Sequence, residues 1–151
     1  LGVGMNVLAC DKAIKKTDIK LDFGNGKTID FNIKISSFLD VLKKSDFISL
    51  HVPAQKEYII NKKEFNLMKD GVGIINAARG GVINELELLA ALDSGKVSFA
   101  GLDTSENEPK PDIKLLMHPN ISLTPHIGAA TNEAQDRIGL ELAEQIINIL
   151  K

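Results

Sequence analysis

Short, mostly apolar runs recur along the chain at Asn6–Cys10, Asp46–Val52, Val72–Ala77, Val97–Leu102 and Ile121–Thr124, each bounded by Gly, Pro or Asp. Continuous apolar character, in place of strict alternation, predicts strands buried on both faces of a sheet. Segments with helical ends separate them. Ser36–Lys44 opens on capping serines and closes on two lysines that suit the negative end of a helix dipole. The stretch from Asn61 to Lys69 stops at Asp70-Gly71, where glycine provides the left-handed conformation of a helix end. Asn84-Glu-Leu-Glu87 resembles a capping box, followed by Leu88, Leu89 and Leu92 on one face and a stop at Ser94-Gly95. A final helix is predicted from Thr131, with Ala134, Ile138, Leu142, Ile146 and Leu150 forming an apolar stripe. The alternation predicts an α/β fold, a Rossmann-like parallel sheet with helices on both faces and right-handed crossovers. One stretch differs. Residues 18–32 alternate apolar and polar positions on either side of Asn25-Gly26, which predicts a β-hairpin inserted before the next sheet strand.

Composition narrows the picture. The 151 residues are 44% hydrophobic and 25% charged, which suits one compact domain and argues against disorder. A formal net charge of −2 makes nucleic acid and anionic membrane poor candidates as partners. No apolar run approaches the roughly 18 residues of a membrane span, and no secretory leader opens the chain. The single cysteine excludes an internal disulfide and a Cys-rich metal site, so no metal is expected and a reducing cytoplasm is the expected location.

Candidate chemistry gathers at the predicted strand ends. Asp11 follows the first predicted strand, where an acidic residue accepts hydrogen bonds from an adenosine ribose and disfavours a 2′-phosphate; it is also ordinary turn chemistry. The Gly-x-Gly-x-x-Gly that should precede such an Asp by about 20 residues is not found. In Gly2-Val-Gly4, Val7 takes the third glycine's place, and a helix end leading into a strand is the better reading. Arg79 lies on the small-residue turn Asn76-Ala-Ala-Arg-Gly-Gly81, where it could clamp a substrate carboxylate or be a surface arginine. Asp103, Glu106 and Glu108 follow the next strand, a setting in which solvated loop acids are common. His126, framed by Pro125 and Gly128, has the side chain for proton exchange near neutrality, although a lone histidine is often structural. Arg, Glu and His at three successive strand ends are more specific than any one of them. His51 could line the same crevice, whereas His118 falls in a loop. No Gly-x-Ser-x-Gly elbow, Walker loop or His-Glu-x-x-His motif occurs.

Five ordered motifs carry a family resemblance: Leu1-Gly-x-Gly-Met-x-Val7 before Asp11, Lys44–Pro53, Ile75–Glu85, Ala100–Pro109 and Thr124–Thr131. With them the chain resembles the D-isomer-specific 2-hydroxy-acid dehydrogenases, most of all the D-3-phosphoglycerate dehydrogenases of serine biosynthesis. The resemblance implies NAD as cofactor and a small 2-hydroxy or 2-keto acid as substrate. It implies that Arg79 binds the substrate carboxylate and carbonyl, that Glu108 pairs with His126, and that His126 exchanges the proton. It further implies Asp11 on the ribose, Val52 and Pro53 along the adenosine and phosphates, Ala77 and Arg79 near the nicotinamide, and Asp103 on the carboxamide. His51, His126 and Gly128 join the cofactor contacts. The family usually dimerises through this domain, so a homodimer is expected. Against the family pattern, residues 1–151 are expected to be a partial NAD-binding domain without its first strand, glycine-rich loop and first helix, and without the substrate domain. By itself such a chain should bind dinucleotide weakly and be inactive. Glyoxylate or hydroxypyruvate reductase is the nearest alternative, and a non-catalytic dinucleotide sensor or corepressor is the alternative outside enzymes.

Overall fold

A computed structural model describes residues 4–24 and 26–150. The helix end read at Gly2–Gly4 falls largely outside them, as does Asn25 of the hairpin turn. Strands β3 (Phe47–Leu50), β4 (Val72–Asn76), β5 (Val97–Leu102) and β6 (Ile121–Leu123) form a parallel sheet in that order. The connections are α2 (Lys62–Leu67), α3 (Glu85–Asp93) and α4 (Ile113–Met117), while α1 (Phe38–Lys44) leads into β3. Each crossover brings the chain back parallel, so β4, β5 and β6 end at the same edge as β3.

Burial divides the sheet. Ile48 and Leu50 of β3, Ile74 of β4 and Ala100 and Leu102 of β5 share one core with Leu42 of α1, Phe65 of α2, Leu88 and Leu92 of α3 and Leu115 of α4. The alternate positions Phe47, Ile75 and Phe99 are 56%, 41% and 40% exposed. The expectation of burial on both faces therefore holds for one face only. Phe47 and Phe99 meet across the other, ring centroids 6.1 Å apart, over Gly73, where a Cβ would fall 2.6 Å from the Phe99 ring.

Local chemistry sets the ends of the helices. Asn61 caps α2 in a full capping box with Glu64. Asn84 caps α3 by accepting from the amides of Leu86 and Glu87, but Glu87 returns no bond, so the expected box is only half formed. Asp112 caps α4, a helix too short for its periodicity to be read in sequence.

The hairpin is present and longer than expected. β1 (Lys16–Asp22) and β2 (Thr28–Lys34) pair antiparallel from Lys16↔Lys34 to Asp22↔Thr28. Its turn spans residues 23–27, closed by the Phe23 amide on the Lys27 carbonyl, with positive φ at Gly24 and Gly26.

The N-terminal strand needs correction, and the last helix differs from the others in its surroundings. Residues 6–10 are not a strand: Ala9 makes one isolated parallel bridge to Ile35, and its carbonyl accepts from Ser36 N at 2.7 Å. Met5, Val7 and Leu8 stay exposed, so no hydrophobic contact extends that bridge into a ladder. The last helix does form, as α5 (Asn132–Leu150) with Thr131 accepting from Ala134 N, but none of its residues is buried. Its predicted stripe is amphipathic in pattern, yet Ile138, Leu142 and Ile146 all remain exposed.

Candidate active site at the carboxyl edge of the sheet

The turn after β4 is built by a buried side chain. Asn76 accepts from Ala78 N at 3.1 Å and donates from Nδ2 to the Arg79 carbonyl at 3.0 Å, so one amide closes both halves of the turn. Its own carbonyl accepts from Asp103 N, tying the end of β4 to the end of β5. Arg79 is exposed beyond this turn, with one guanidinium nitrogen donating to the Ala78 carbonyl at 2.6 Å. Gly80 follows against the β5 loop: a Cβ there would lie 2.0 Å from the Ser105 carbonyl oxygen, so no larger residue fits without moving that loop.

The turn after β6 carries His126, the one non-glycine residue with positive φ (55°) among those described. Asp103 holds that conformation. Its Oδ1 accepts from Thr124 Oγ1 and from Ile127 N, and its Oδ2 accepts from Gly128 N at 2.9 Å. Partial burial pushes the Asp103 carboxyl up, but the bonds from Thr124, Ile127 and Gly128 outweigh it and leave the group below its ordinary range.

His126 Nδ1 meets Glu108 Oε2 at 2.8 Å. The bond to His126, followed by a second from Ser105 N to Glu108 Oε1, holds the Glu108 carboxyl below its ordinary value. An ionised carboxylate only accepts, so Nδ1 carries the proton and donates; in the neutral ring Nε2 is then the basic nitrogen. This is an imidazole oriented by a carboxylate.

The remaining predicted residues separate into two groups. His51 lies just beyond β3, its Nε2 2.8 Å from Ser49 Oγ, with Val52 half-buried and Pro53 exposed beside it. Ala77 is exposed on the β4 turn. Asp11 is on the N-terminal segment, where Oδ1 accepts from Ile14 N and Ala13 N; these two bonds lower its carboxyl and keep it anionic at neutral pH. His126 and Glu108 are brought into direct contact, and Asp103 and Gly128 join them. Arg79 reaches the same edge without a bond to the pair. Asn76, Thr124 and Glu85 were not singled out from sequence: Asn76 and Glu85 act through backbone groups, Thr124 acts through the Asp103 carboxylate, and none of these partners is visible in a linear motif. Among the described residues no cluster of His, Cys, Asp and Glu could hold a metal ion, and no helix is long and apolar enough to cross a membrane.

A parallel α/β sheet presenting an oriented histidine, an arginine and the separate acids Asp103 and Glu108 along its carboxyl edge has the form of a nucleotide-binding domain of the Rossmann-like class. The family described as D-isomer specific 2-hydroxyacid dehydrogenase, NAD binding domain, matches residues 1–128, and the chain belongs to that family. It is 43% identical over 150 residues to D-3-phosphoglycerate dehydrogenase of Archaeoglobus fulgidus, covering 97% of this chain and 27% of the relative. It is 44% identical over 155 residues to hydroxypyruvate reductase of Thermotoga maritima, covering 99% and 47%. Among solved structures, a glyoxylate reductase from Paecilomyes thermophila superposes with a TM-score of 0.67 at 45% identity over 72% of this chain and 34% of that one. The chain thus spans less than half the length of these relatives.

Proposed function

We propose that this chain supplies the NAD-binding and proton-transfer side of a D-2-hydroxy-acid dehydrogenase, acting on 3-phosphoglycerate in serine synthesis. The observation that carries the reading is the Glu108–His126 pair, 2.8 Å apart beside the Arg79 turn. Two of the acids fit NAD in their open acceptor sites. Asp11 keeps one carboxylate oxygen outside its two backbone bonds, suited to a ribose diol. Asp103 accepts three bonds of the roughly four a carboxylate can take, which leaves room for a carboxamide donor.

NAD, when bound, supplies the hydride acceptor and, in reverse, the donor. The protein does the rest. Arg79 keeps guanidinium donors beyond its bond to Ala78 with which to grip the substrate carboxylate and to stabilise charge on the reacting oxygen. His126 Nε2 takes the hydroxyl proton during oxidation and returns it during reduction, while ionised Glu108 stabilises the imidazolium. The chain acts as one domain of a longer protein whose substrate domain lies elsewhere. We place that protein in the cytoplasm as a homodimer, a state that sedimentation velocity checks.

His126→Ala in the full-length enzyme is expected to lower kcat by about 10²–10⁴-fold with little change in NADH affinity. Near-normal turnover overturns the role. The 151-residue chain alone is expected to bind NADH weakly by calorimetry, because it contains no Gly-x-Gly-x-x-Gly to cradle the pyrophosphate. The similarity to a hydroxypyruvate reductase and a glyoxylate reductase favours those activities as the second reading. A coupled assay of the full-length enzyme with phosphohydroxypyruvate, hydroxypyruvate and glyoxylate separates them.

A further inference from the structure

Glu85, the first residue of α3, and Glu106, in the loop after β5, exchange bonds across 21 positions of sequence. Glu106 N donates to Glu85 Oε1 at 2.7 Å, and Glu85 N donates to Glu106 Oε1 at 3.0 Å. Glu106 therefore caps the α3 amide that Asn84 does not reach. Glu106 Oε2 also accepts from the Tyr58 hydroxyl at 3.2 Å. Glu85 is only 8% exposed, and the neighbouring Thr104 and Ser105 are buried. On the opposite side the loop rests against the backbone of Gly80.

This clasp stands one step from the chemistry. Ser105 N, adjacent to the Glu106 amide, donates to Glu108 Oε1, and Glu108 Oε2 holds His126. The direction of the Glu108 carboxylate is thus set from a backbone amide, and the position of that amide is set by Glu85. Burial pushes the Glu85 carboxyl up, and the negative charges of Glu106, Asp112 and Glu108 add to it, so an acid is kept where its charge is disfavoured.

We propose that Glu85 and Glu106 are positioning residues for proton transfer: their reciprocal bonds fix the 103–108 loop so that Glu108 holds His126 with Nδ1 protonated and Nε2 available to substrate. This rests on the reading of His126 as the proton-exchanging group.

The test is the ¹⁵N spectrum of the His126 ring in the 151-residue chain, read beside turnover of the full-length enzyme. In the unsubstituted chain the ring should show the Nδ1-protonated form. Glu85→Ala removes the acceptor for Glu106 N and should return the ring to the tautomer mixture of a free imidazole. In the enzyme the same change should lower kcat by about 10–100-fold while leaving KM for NADH within about twofold. Glu85→Gln keeps an Oε1 acceptor and should restore both. If Glu85→Ala fails to fold, Glu106→Ala carries the test from the other half of the exchange: Glu106 is exposed, and its removal takes away the acceptor for Glu85 N and Tyr58 while its own amide still donates to Glu85. A folded Glu85→Ala or Glu106→Ala chain with the unsubstituted His126 spectrum overturns the proposal, as does Glu85→Gln behaving like Glu85→Ala. Full turnover by His126→Ala, with the spectral changes intact, would overturn the proton role and leave the clasp standing.

Discussion

Two regions that carry candidate site residues are built to different standards. Around His126, Asp103 alone accepts three bonds, Asn76 closes the neighbouring turn, and the Glu85–Glu106 exchange ties the intervening loop to α3. Around Asp11, the chain is joined to Ile35-Ser36 by a single bridge and its backbone bond, and Met5, Val7, Leu8 and Ile14 are exposed. The region around His126 is over-determined by the chain's own bonds. The region around Asp11 has its acid held by two backbone bonds and little packing behind it. Proton transfer is sensitive to displacements of an ångström, whereas a ribose contact tolerates more, so under the proposed roles the precision falls on the proton-transfer side.

Truncations should expose this contrast most strongly. Leu88→Ala, in the core behind the histidine side, is expected to cost about 2–5 kcal/mol, and Leu8→Ala less than about 0.5 kcal/mol, by urea denaturation. Comparable losses would show that the N-terminal segment is packed after all. Next, Gly80→Ala forces the β5 loop off its seat and should destabilise by about 1–3 kcal/mol while broadening the amide resonances of residues 104–108. An unshifted unfolding midpoint would show that the loop yields freely.

Acid should loosen the histidine side at one identifiable group. Asp103 titrates below its ordinary value of 3.8 in the folded chain, so its stabilisation is present above that value and is lost as pH falls through the lower folded one. The amide shifts of Ile127 and Gly128 should follow a midpoint below 3.8, and a midpoint at or above it would deny that they hold an ionised carboxylate. The smallest effect concerns the Thr104 hydroxyl, buried without a hydrogen-bond partner. Thr104→Val should stabilise by about 1 kcal/mol in the same denaturation, since it deletes an unsatisfied polar group at constant shape.

Sequence reading reached the strand ends because chemistry and period coincide there: Arg79, Glu108 and His126 each follow an apolar run with a turn residue beside it. The hairpin was legible from alternation alone, and α2 and α3 from their caps. What escaped has a common physical cause. Residues 6–10 have strand composition, but a strand needs a neighbour, and pairing is not written in a single segment. The α5 stripe has the right spacing, yet spacing does not say whether anything covers it. Glu106 read as a solvated loop acid because its partner, the amide of Glu85, is 21 residues away and has no side-chain signature.

The positive φ of His126 restricts the residue itself. Few side chains sit comfortably in the left-handed region, Asn, Asp and His foremost after glycine, and of these only His titrates near neutral pH. Backbone geometry and proton chemistry are thus two separate filters on one position, and they admit the same residue. Asn and Asp pass the first and fail the second, so under the proposed role His126→Asn is expected to remove the reaction while sparing the turn.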